Sequence, residues 1–133
     1  MIILGISGGV RSGNQDGSAA LLVDGRVVAA AEEERFLGIK FANGLLPRHA
    51  AKYCLAEAGL RIQDVDRVVF PGATYVGFAE LLTRFFQFHF GHSPKVVLVA
   101  HHEAHAASTF YGSGWEKALV LTLDNSGDGK STT

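Results

Sequence analysis

An Asp-Gly pair between two short apolar runs is the feature that most constrains how this chain of 133 residues folds. The run Ser18–Val23 (SAALLV) precedes Asp24-Gly25, and a second run over residues 26–31 (RVVAAA) follows it. Asp and Gly tolerate the positive φ angles that a two-residue hairpin turn requires. The pattern therefore predicts a β-hairpin over residues 18–32, preceded by a separate strand over Ile2–Ser7 (IILGIS).

Helix-like and strand-like segments alternate after the hairpin. The spacing of apolar residues predicts helices over residues 47–60, 77–88 and 102–110, and apolar runs predict strands over residues 66–70, 95–100 and 118–123. The phenylalanines of the second helix are interpreted as core or helix-packing residues. The order βββαβαβα, followed by one more strand, predicts an α/β domain with a mixed sheet, of the ribonuclease-H-like or actin-like type.

The end of the chain repeats its beginning in outline. The run over residues 118–123 leads into a glycine-bearing turn, as the run over Ile2–Ser7 does. We therefore expect residues 1–116 to form a first actin-like subdomain, and residues 117–133 to supply the opening strand and turn of a truncated second one. The last strand would lack a sheet neighbour, so we also expect the chain to self-associate by exchanging it.

The charge balance and the single cysteine argue against several classes of protein. Twelve Lys and Arg face thirteen Asp and Glu, for a formal net charge of -1, without a dense basic run. A nucleic-acid binder that neutralises phosphates is therefore not expected. Cys54 has no second cysteine for a disulfide or a cysteine-based metal site. No apolar stretch approaches the roughly 20 residues that span a bilayer, and we expect a cytoplasmic protein without a membrane partner.

Two histidines and one aspartate are candidates for a metal site. His101 and His105 stand four positions apart after a predicted strand, which places two imidazoles on one helical face. Asp124 ends another apolar run, at the edge where α/β sheets collect ligands. Two imidazoles and a carboxylate suit Fe(II), Mn or Zn. The alternative is a hydrated helix start, with Asp124 capping a turn and Asp128-Gly129 forming a simple hairpin turn.

An acidic run follows the predicted hairpin. Glu32, Glu33 and Glu34 precede Arg35, and Lys40 lies a few positions further on. Such a run is usually a solvated strand end, and we favour that interpretation over a polar site framed by these charges. The glycine turns after the first and last predicted strands are weak indications of phosphate binding.

Several of these segments together resemble one family. The hairpin SAALLVDGRVVAAAEEERF, followed by Lys40 and by Pro47-Arg48 at a helix start, resembles the beginning of the O-carbamoyltransferases of antibiotic and nodulation-factor biosynthesis. The segments HHEAHAASTFYGSG and ALVLTLDNSGDG resemble that family's histidine pair, helix and strand ending in aspartate. The resemblance extends over essentially the whole chain.

The resemblance implies an actin-like fold related to the enzymes that add threonylcarbamoyl to transfer RNA. It also implies transfer of a carbamoyl group from carbamoyl-adenylate to a hydroxyl of a small natural product or sugar. A separate domain of such enzymes makes the adenylate from carbamoyl phosphate and ATP. The chain by itself is then expected to be an inactive N-terminal fragment of a carbamoyltransferase.

The resemblance also assigns roles to individual residues. It makes His101, His105 and Asp124 metal ligands, commonly of iron, with a fourth carboxylate beyond Thr133. Lys40 matches a basic residue near the carbamoyl-adenylate. The turn that matches a nucleotide-contacting loop contains Asn125, Ser126, Gly127 and Asp128.

One position departs from the family pattern. Where the family commonly has His-Asp before the hairpin, this chain has Gln15-Asp16. A glutamine amide cannot accept a proton near neutral pH, so Gln15 cannot act as a general base. Either another group supplies the base, or this member has altered or weakened transfer chemistry. The alternative class is a non-catalytic relative of the same fold that binds a metal or a nucleotide.

Overall fold

The computed structural model describes residues 1–10 and 16–133, and its main feature is a five-stranded sheet in the order β3-β2-β1-β4-β5. The central strand β1 pairs antiparallel with β2 and parallel with β4, so the predicted mixed sheet is confirmed. The strands are β1 (Ile2–Ser7), β2 (Ser18–Val23), β3 (Arg26–Glu32), β4 (Arg67–Pro71) and β5 (Lys95–Val99).

The predicted hairpin is confirmed. Val23 pairs with Arg26 across the turn, and the two turn residues have positive φ, 50° at Asp24 and 80° at Gly25. This is the backbone geometry for which an Asp-Gly pair is suited. The carboxylate of Asp24 also pairs with the N-terminal amine.

Four α-helices follow the hairpin or lie between the later strands. They are α1 (Glu34–Leu37), α2 (Arg48–Glu57), α3 (Phe78–Phe90) and α4 (His101–Ser113), with short 3-10 helices at Lys40–Ala42 and Ile62–Asp64. The three longer helices confirm the predicted ones, with α3 and α4 running further than expected. None of the helices in residues 1–10 and 16–133 is long and apolar enough to cross a membrane.

The core lies between one face of the sheet and helices α2 and α3. Alternate strand residues such as Leu4 and Leu21 point into it and are fully buried, as a period of two requires. Cys54 of α2 and Phe86 of α3 belong to the same cluster. Phe86 is fully buried, and Phe78, Phe85 and Phe90 are half-buried against the core, as predicted for core or helix-packing residues, whereas Phe88 is 83% exposed.

The interpretation of the acidic run as a solvated strand end is wrong for Glu33. This side chain is buried, and its carboxylate accepts hydrogen bonds from the backbone N–H groups of His49 and Ala50 at 3.0 and 2.8 Å. These amides belong to the first turn of α2, where they have no partner within the helix. Burial of Glu33 is compensated because the carboxylate satisfies them.

Hydrogen bonds between side chains extend from Glu33 through His49 to Arg48. Nδ1 of His49 lies 2.7 Å from Glu33 Oε1, and Nε2 of His49 lies 2.8 Å from a terminal nitrogen of Arg48. A guanidinium only donates hydrogen bonds, so Nε2 accepts and Nδ1 carries the proton given to Glu33. Glu32, in contrast, lies at the surface and pairs with Arg35 at 3.1 Å.

The strand predicted over residues 118–123 is wrong. The structure instead forms a separate two-stranded hairpin from β6 (Leu123–Gly127) and β7 (Lys130–Thr132). Backbone bonds between Thr122 and Thr133 add one more pair to it. A strand needs a partner, and the Asp128-Gly129 turn aligns residues from 122 onward with the end of the chain. Residues 118–121 have no partner within the described chain and stay outside any strand.

Candidate metal centre

Helix α4 begins immediately beyond the carboxyl end of β5 and carries both candidate histidines. Ala100 has extended backbone angles, and His101 opens the helix. His105 lies one turn further on, so the two rings are side by side with centroids 4.6 Å apart. Their Nε2 atoms are 2.9 Å apart. The spacing in the sequence thus produces a pair of imidazoles with converging nitrogen atoms.

Strand β6 adds the third candidate. Oδ2 of Asp124 lies 2.7 Å from Nε2 of His101 and 3.5 Å from Nε2 of His105. The three predicted donors therefore meet, although Asp124 belongs to an element separate from α4. All three donor atoms lie within 4.8 Å of one another.

The chemistry of these three donors fits a divalent cation. Nitrogen and carboxylate oxygen ligands bind an ion such as zinc at about 2.0 to 2.2 Å, so two donors on one ion are about 3 Å apart. The separations among His101, His105 and Asp124 are of this size. Without a cation, the N–H at Nε2 of one histidine must serve acceptors on two neighbours at once, whereas a cation satisfies every lone pair.

Both the exposure and the charge of the centre suit this role. The side chain of His101 is 19% exposed and that of His105 is 52% exposed, so the centre is open on the His105 side. The hydrogen bond to His101, followed by that from the Asn125 amide, lowers the pKa of Asp124. Asp124 is therefore an anion at neutral pH and above, as a metal ligand must be.

A cleft of about 470 Å³ adjoins the open side of the centre. Its wall includes His105 and Phe110 from α4, and Trp115 and Leu119 from the segment that follows the helix. The cleft provides an apolar wall next to the histidine pair. It is large enough to receive part of a small molecule.

Gly127 makes room for the His101 ring. A Cβ built on Gly127 would lie 2.7 Å from Nε2 of His101, and closer still to two other ring atoms. The resemblance assigns Gly127 to a nucleotide-contacting loop. The structure shows that this glycine also lets the imidazole approach the backbone of β6.

Asp128 connects three segments of the chain. Its Oδ2 accepts the backbone N–H of His101 at 2.8 Å, and its Oδ1 accepts the hydroxyl of Thr74 at 2.8 Å and the Thr74 amide at 3.3 Å. Asp128 also forms the hairpin turn with Gly129, as the alternative interpretation of this pair proposed. Thr74 was missed in the sequence, because no local pattern relates it to a residue 54 positions away.

The structure does not bring Lys40 to the histidines. Lys40 is exposed, with its ammonium 5.1 Å from the ring centre of Phe41, and it follows β3 at the opposite edge of the sheet from β5. Four strand spacings of about 4.8 Å separate those edges. Asn125 is exposed on β6, Ser126 is part of the same strand, and Gln15 lies outside the described residues.

His102 points away from the two candidate ligands. It is 6% exposed, and its Nδ1 lies 2.6 Å from the hydroxyl of Thr133. Its Nε2 has no hydrogen-bond partner within the described residues. His102 thus ties the start of α4 to the end of β7, beside the centre rather than in it.

The comparison with protein families decides the classification. The sequence model of the family described as "Carbamoyltransferase N-terminus" matches residues 3–92. This chain belongs to that family. The family resemblance found in the sequence is therefore confirmed, whereas the histidine pair and Asp124 lie beyond the matched residues.

Two curated proteins are similar over nearly the whole chain. Nodulation protein NolNO of Sinorhizobium fredii is 35% identical over 96% of this chain, and the uncharacterized protein sll1178 of Synechocystis is 29% identical over 94%. The chain spans only about a quarter of the length of these relatives, 24% and 26% respectively.

Solved structures support the fold. YeaZ from Pseudomonas aeruginosa has a TM-score of 0.54 at 18% identity, covering 94% of this chain and 55% of that chain. An uncharacterized protein with similarity to peptidase YEAZ from the same organism has a TM-score of 0.53 at 19% identity, with the same coverage. The predicted actin-like fold class is confirmed. Sequence identity this low supports a shared fold and not a shared function.

Proposed function

We propose that His101, His105 and Asp124 hold a divalent metal ion, with Fe(II) as the first candidate, in the N-terminal part of a carbamoyltransferase. The supporting observation is the convergence of these three donors in a chain of the carbamoyltransferase family. A fourth carboxylate ligand is proposed to come from sequence beyond Thr133. The open side of His105 leaves room for it and for a substrate oxygen.

The proposed reaction transfers a carbamoyl group from carbamoyl-adenylate to a hydroxyl of a small natural product or sugar. A bond forms between the hydroxyl oxygen and the carbamoyl carbon, and the bond from that carbon to the phosphate oxygen breaks. AMP leaves with the bonding electron pair, and a general base takes the hydroxyl proton. Carbamoyl phosphate and ATP would be consumed in making the adenylate, in another part of the whole protein.

The residues of this chain have distinct tasks in that scheme. When bound, the cation supplies Lewis acidity towards phosphate or ribose oxygens and offsets the charge of the departing AMP. Asp124 supplies a fixed negative charge to the ligand set, and Gly127 allows His101 to reach it. Lys40 follows the opposite edge strand, four strand spacings from β5, so it is not assigned to the carbamoyl carbon, which is bonded to the phosphate that the cation would hold.

The second candidate is a non-catalytic relative that binds a metal or nucleotide. It is favoured by Gln15, because a neutral amide stands where the family commonly has a histidine. Assaying carbamoyl transfer by the whole protein that carries this chain distinguishes the two candidates. Transfer that is lost on His105→Ala supports the enzyme. Metal binding without transfer supports the non-catalytic relative.

The metal proposal is tested by anaerobic titration of Fe(II) and Zn(II) into the purified chain. His105→Ala removes one donor, and His92→Ala is the matched control because His92 is an exposed histidine outside the centre. We expect binding near one ion per chain, weakened in His105→Ala and unchanged in His92→Ala. Equal binding by all three proteins would overturn the proposed centre.

A further inference from the structure

The candidate centre is divided between two elements that have to be held together. His101 and His105 belong to α4, while Asp124 belongs to the hairpin of β6 and β7, which lies outside the five-stranded sheet. The ladder bonds of the large sheet therefore do not align Asp124 with the histidines. Some other contact must fix the hairpin in place.

Asp128 provides that contact at the helix start. Helix α4 has no capping side chain of its own, since Ala100 is the residue before its first turn. The carboxylate of Asp128 accepts the first amide of the helix, that of His101, from outside the helix. A carboxylate is favoured there because the unpaired N–H groups carry partial positive charge. Asp128 lies four positions after Asp124 in the same hairpin. The bond to His101 therefore connects the start of α4 to the hairpin that carries Asp124.

The second oxygen of Asp128 fixes the hairpin to the large sheet. It accepts two hydrogen bonds from Thr74, which lies in the turn after β4. Both oxygens of Asp128 therefore already accept hydrogen bonds from the protein.

We propose that Asp128 is a positioning residue for the metal centre. Its hydrogen bonds hold the hairpin that carries Asp124 against the helix that carries His101. The inference rests on the proposed metal centre. It gives Asp128 a role different from the nucleotide contact that the family resemblance implied. Asp128 does not touch the cation in this role and acts through the main chain of His101.

The first test replaces Asp128 by Ala and measures binding of Co(II), whose visible absorption reports the ligand geometry. Asp24→Ala is the matched control, because Asp24 also precedes glycine in a two-residue turn and has nearly the same φ, 50° against 51°. Loss of a residue that orients a ligand typically weakens metal binding by about 10 to 100-fold. We expect that loss and an altered spectrum in Asp128→Ala, partial recovery in Asp128→Asn, and neither change in Asp24→Ala.

A second pair of variants keeps the test decisive if Asp128→Ala fails to fold. Thr74→Val removes the hydroxyl donor to Asp128 at nearly constant shape, and Thr74→Ser retains it. Weaker Co(II) binding in Thr74→Val with recovery in Thr74→Ser supports the inference. Unchanged affinity and spectrum in the folded Asp128 and Thr74 variants would overturn it, even if their thermal stability falls.

A metal-free measurement separates this inference from the metal proposal. The ring proton between Nε2 of His101 and Asp124 is followed by nitrogen-15 NMR of the metal-free chain. If the wild-type chain binds no Co(II), the metal proposal fails. The positioning role then stands if this ring signal is lost in Asp128→Ala and kept in Asp24→Ala. It is rejected if both variants keep the signal.

Discussion

The imidazole of His101 lies against the main chain of Gly127, in the space that any larger side chain at position 127 would occupy. The two residues are far apart in the sequence and belong to different elements. Because the ring is also bonded to Asp124, a change at Gly127 acts directly on the candidate ligand set.

Gly127→Ala is expected to weaken metal binding by about tenfold or more, as does loss of other groups that orient a ligand. The added methyl must displace the His101 ring from Asp124. Isothermal titration with Zn(II) measures the effect. Gly112→Ala is the control, because a Cβ on Gly112 meets nothing within 4 Å. Equal affinity in the two variants would contradict this account of Gly127.

Glu33→Ala is expected to destabilise the chain by about 1 to 3 kcal/mol, the cost of leaving buried hydrogen-bond donors without an acceptor. The substitution leaves two amides at the start of α2 and Nδ1 of His49 without their acceptor. Urea unfolding followed by circular dichroism measures the loss. Glu32→Ala, at an exposed position, should change stability by less than about 0.5 kcal/mol. A similar loss of unfolding free energy in both variants would show that the hydrogen bonds of Glu33 contribute no more to stability than an exposed carboxylate does.

Cys54 is expected to be unreactive in the folded chain. Burial raises the pKa of its thiol, so the reactive thiolate is disfavoured. The folded chain keeps the thiol protonated to a higher pH than the unfolded chain does. This contribution to the free energy of unfolding is fully present below the unfolded pKa of about 8.5, and it is lost as the pH rises through the folded pKa. A thiol reagent at pH 8 should label Cys54 only after denaturation. Ser113→Cys adds an exposed thiol as a positive control, and rapid labelling of native Cys54 would contradict the prediction.

Self-association remains a prediction, now assigned to an exposed segment rather than to a formed strand. Leu119 is 99% exposed and Leu121 is 67% exposed, in an apolar run without a strand partner. Exposed apolar segments of this kind favour pairing between copies. We expect a dimer or larger species by sedimentation equilibrium, shifted towards monomer by Leu119→Lys but not by Val76→Lys at another fully exposed position. A monomer at high concentration would reject it.

The local elements were predictable because their causes are local. The Asp24-Gly25 pair satisfies the positive φ angles of the hairpin by itself, and the apolar spacing of α2 and α3 reports the face that meets the core. The convergence of His101 and His105 was predictable for the same reason, since it follows from one helical turn. The extents of α3 and α4 were underestimated, since α3 continues to Phe90 before Gly91 and α4 continues to Ser113 before Gly114.

Contacts between distant segments were not predictable from spacing. Glu33 reads as one of three similar acidic residues, and only the packing of α2 against β3 decides that it is buried while Glu32 remains at the surface. The apolar run over residues 118–123 was misread as a strand, because a strand exists only where a partner is available. The register of β6 with β7 pairs residues 122–127 with the end of the chain and leaves residues 118–121 without a partner among the described residues.

The strands of the large sheet, the three longer helices, the hairpin and the chemical identity of the candidate metal donors could be predicted from the sequence alone. These depend on residue type and on separations of a few positions. The tertiary structure decided that Asp124 meets the histidines, that Gly127 must be small, and that Asp128 bonds both His101 and Thr74. Such contacts join residues 19 to 54 positions apart, and their geometry depends on where the sheet and the hairpin place their ends.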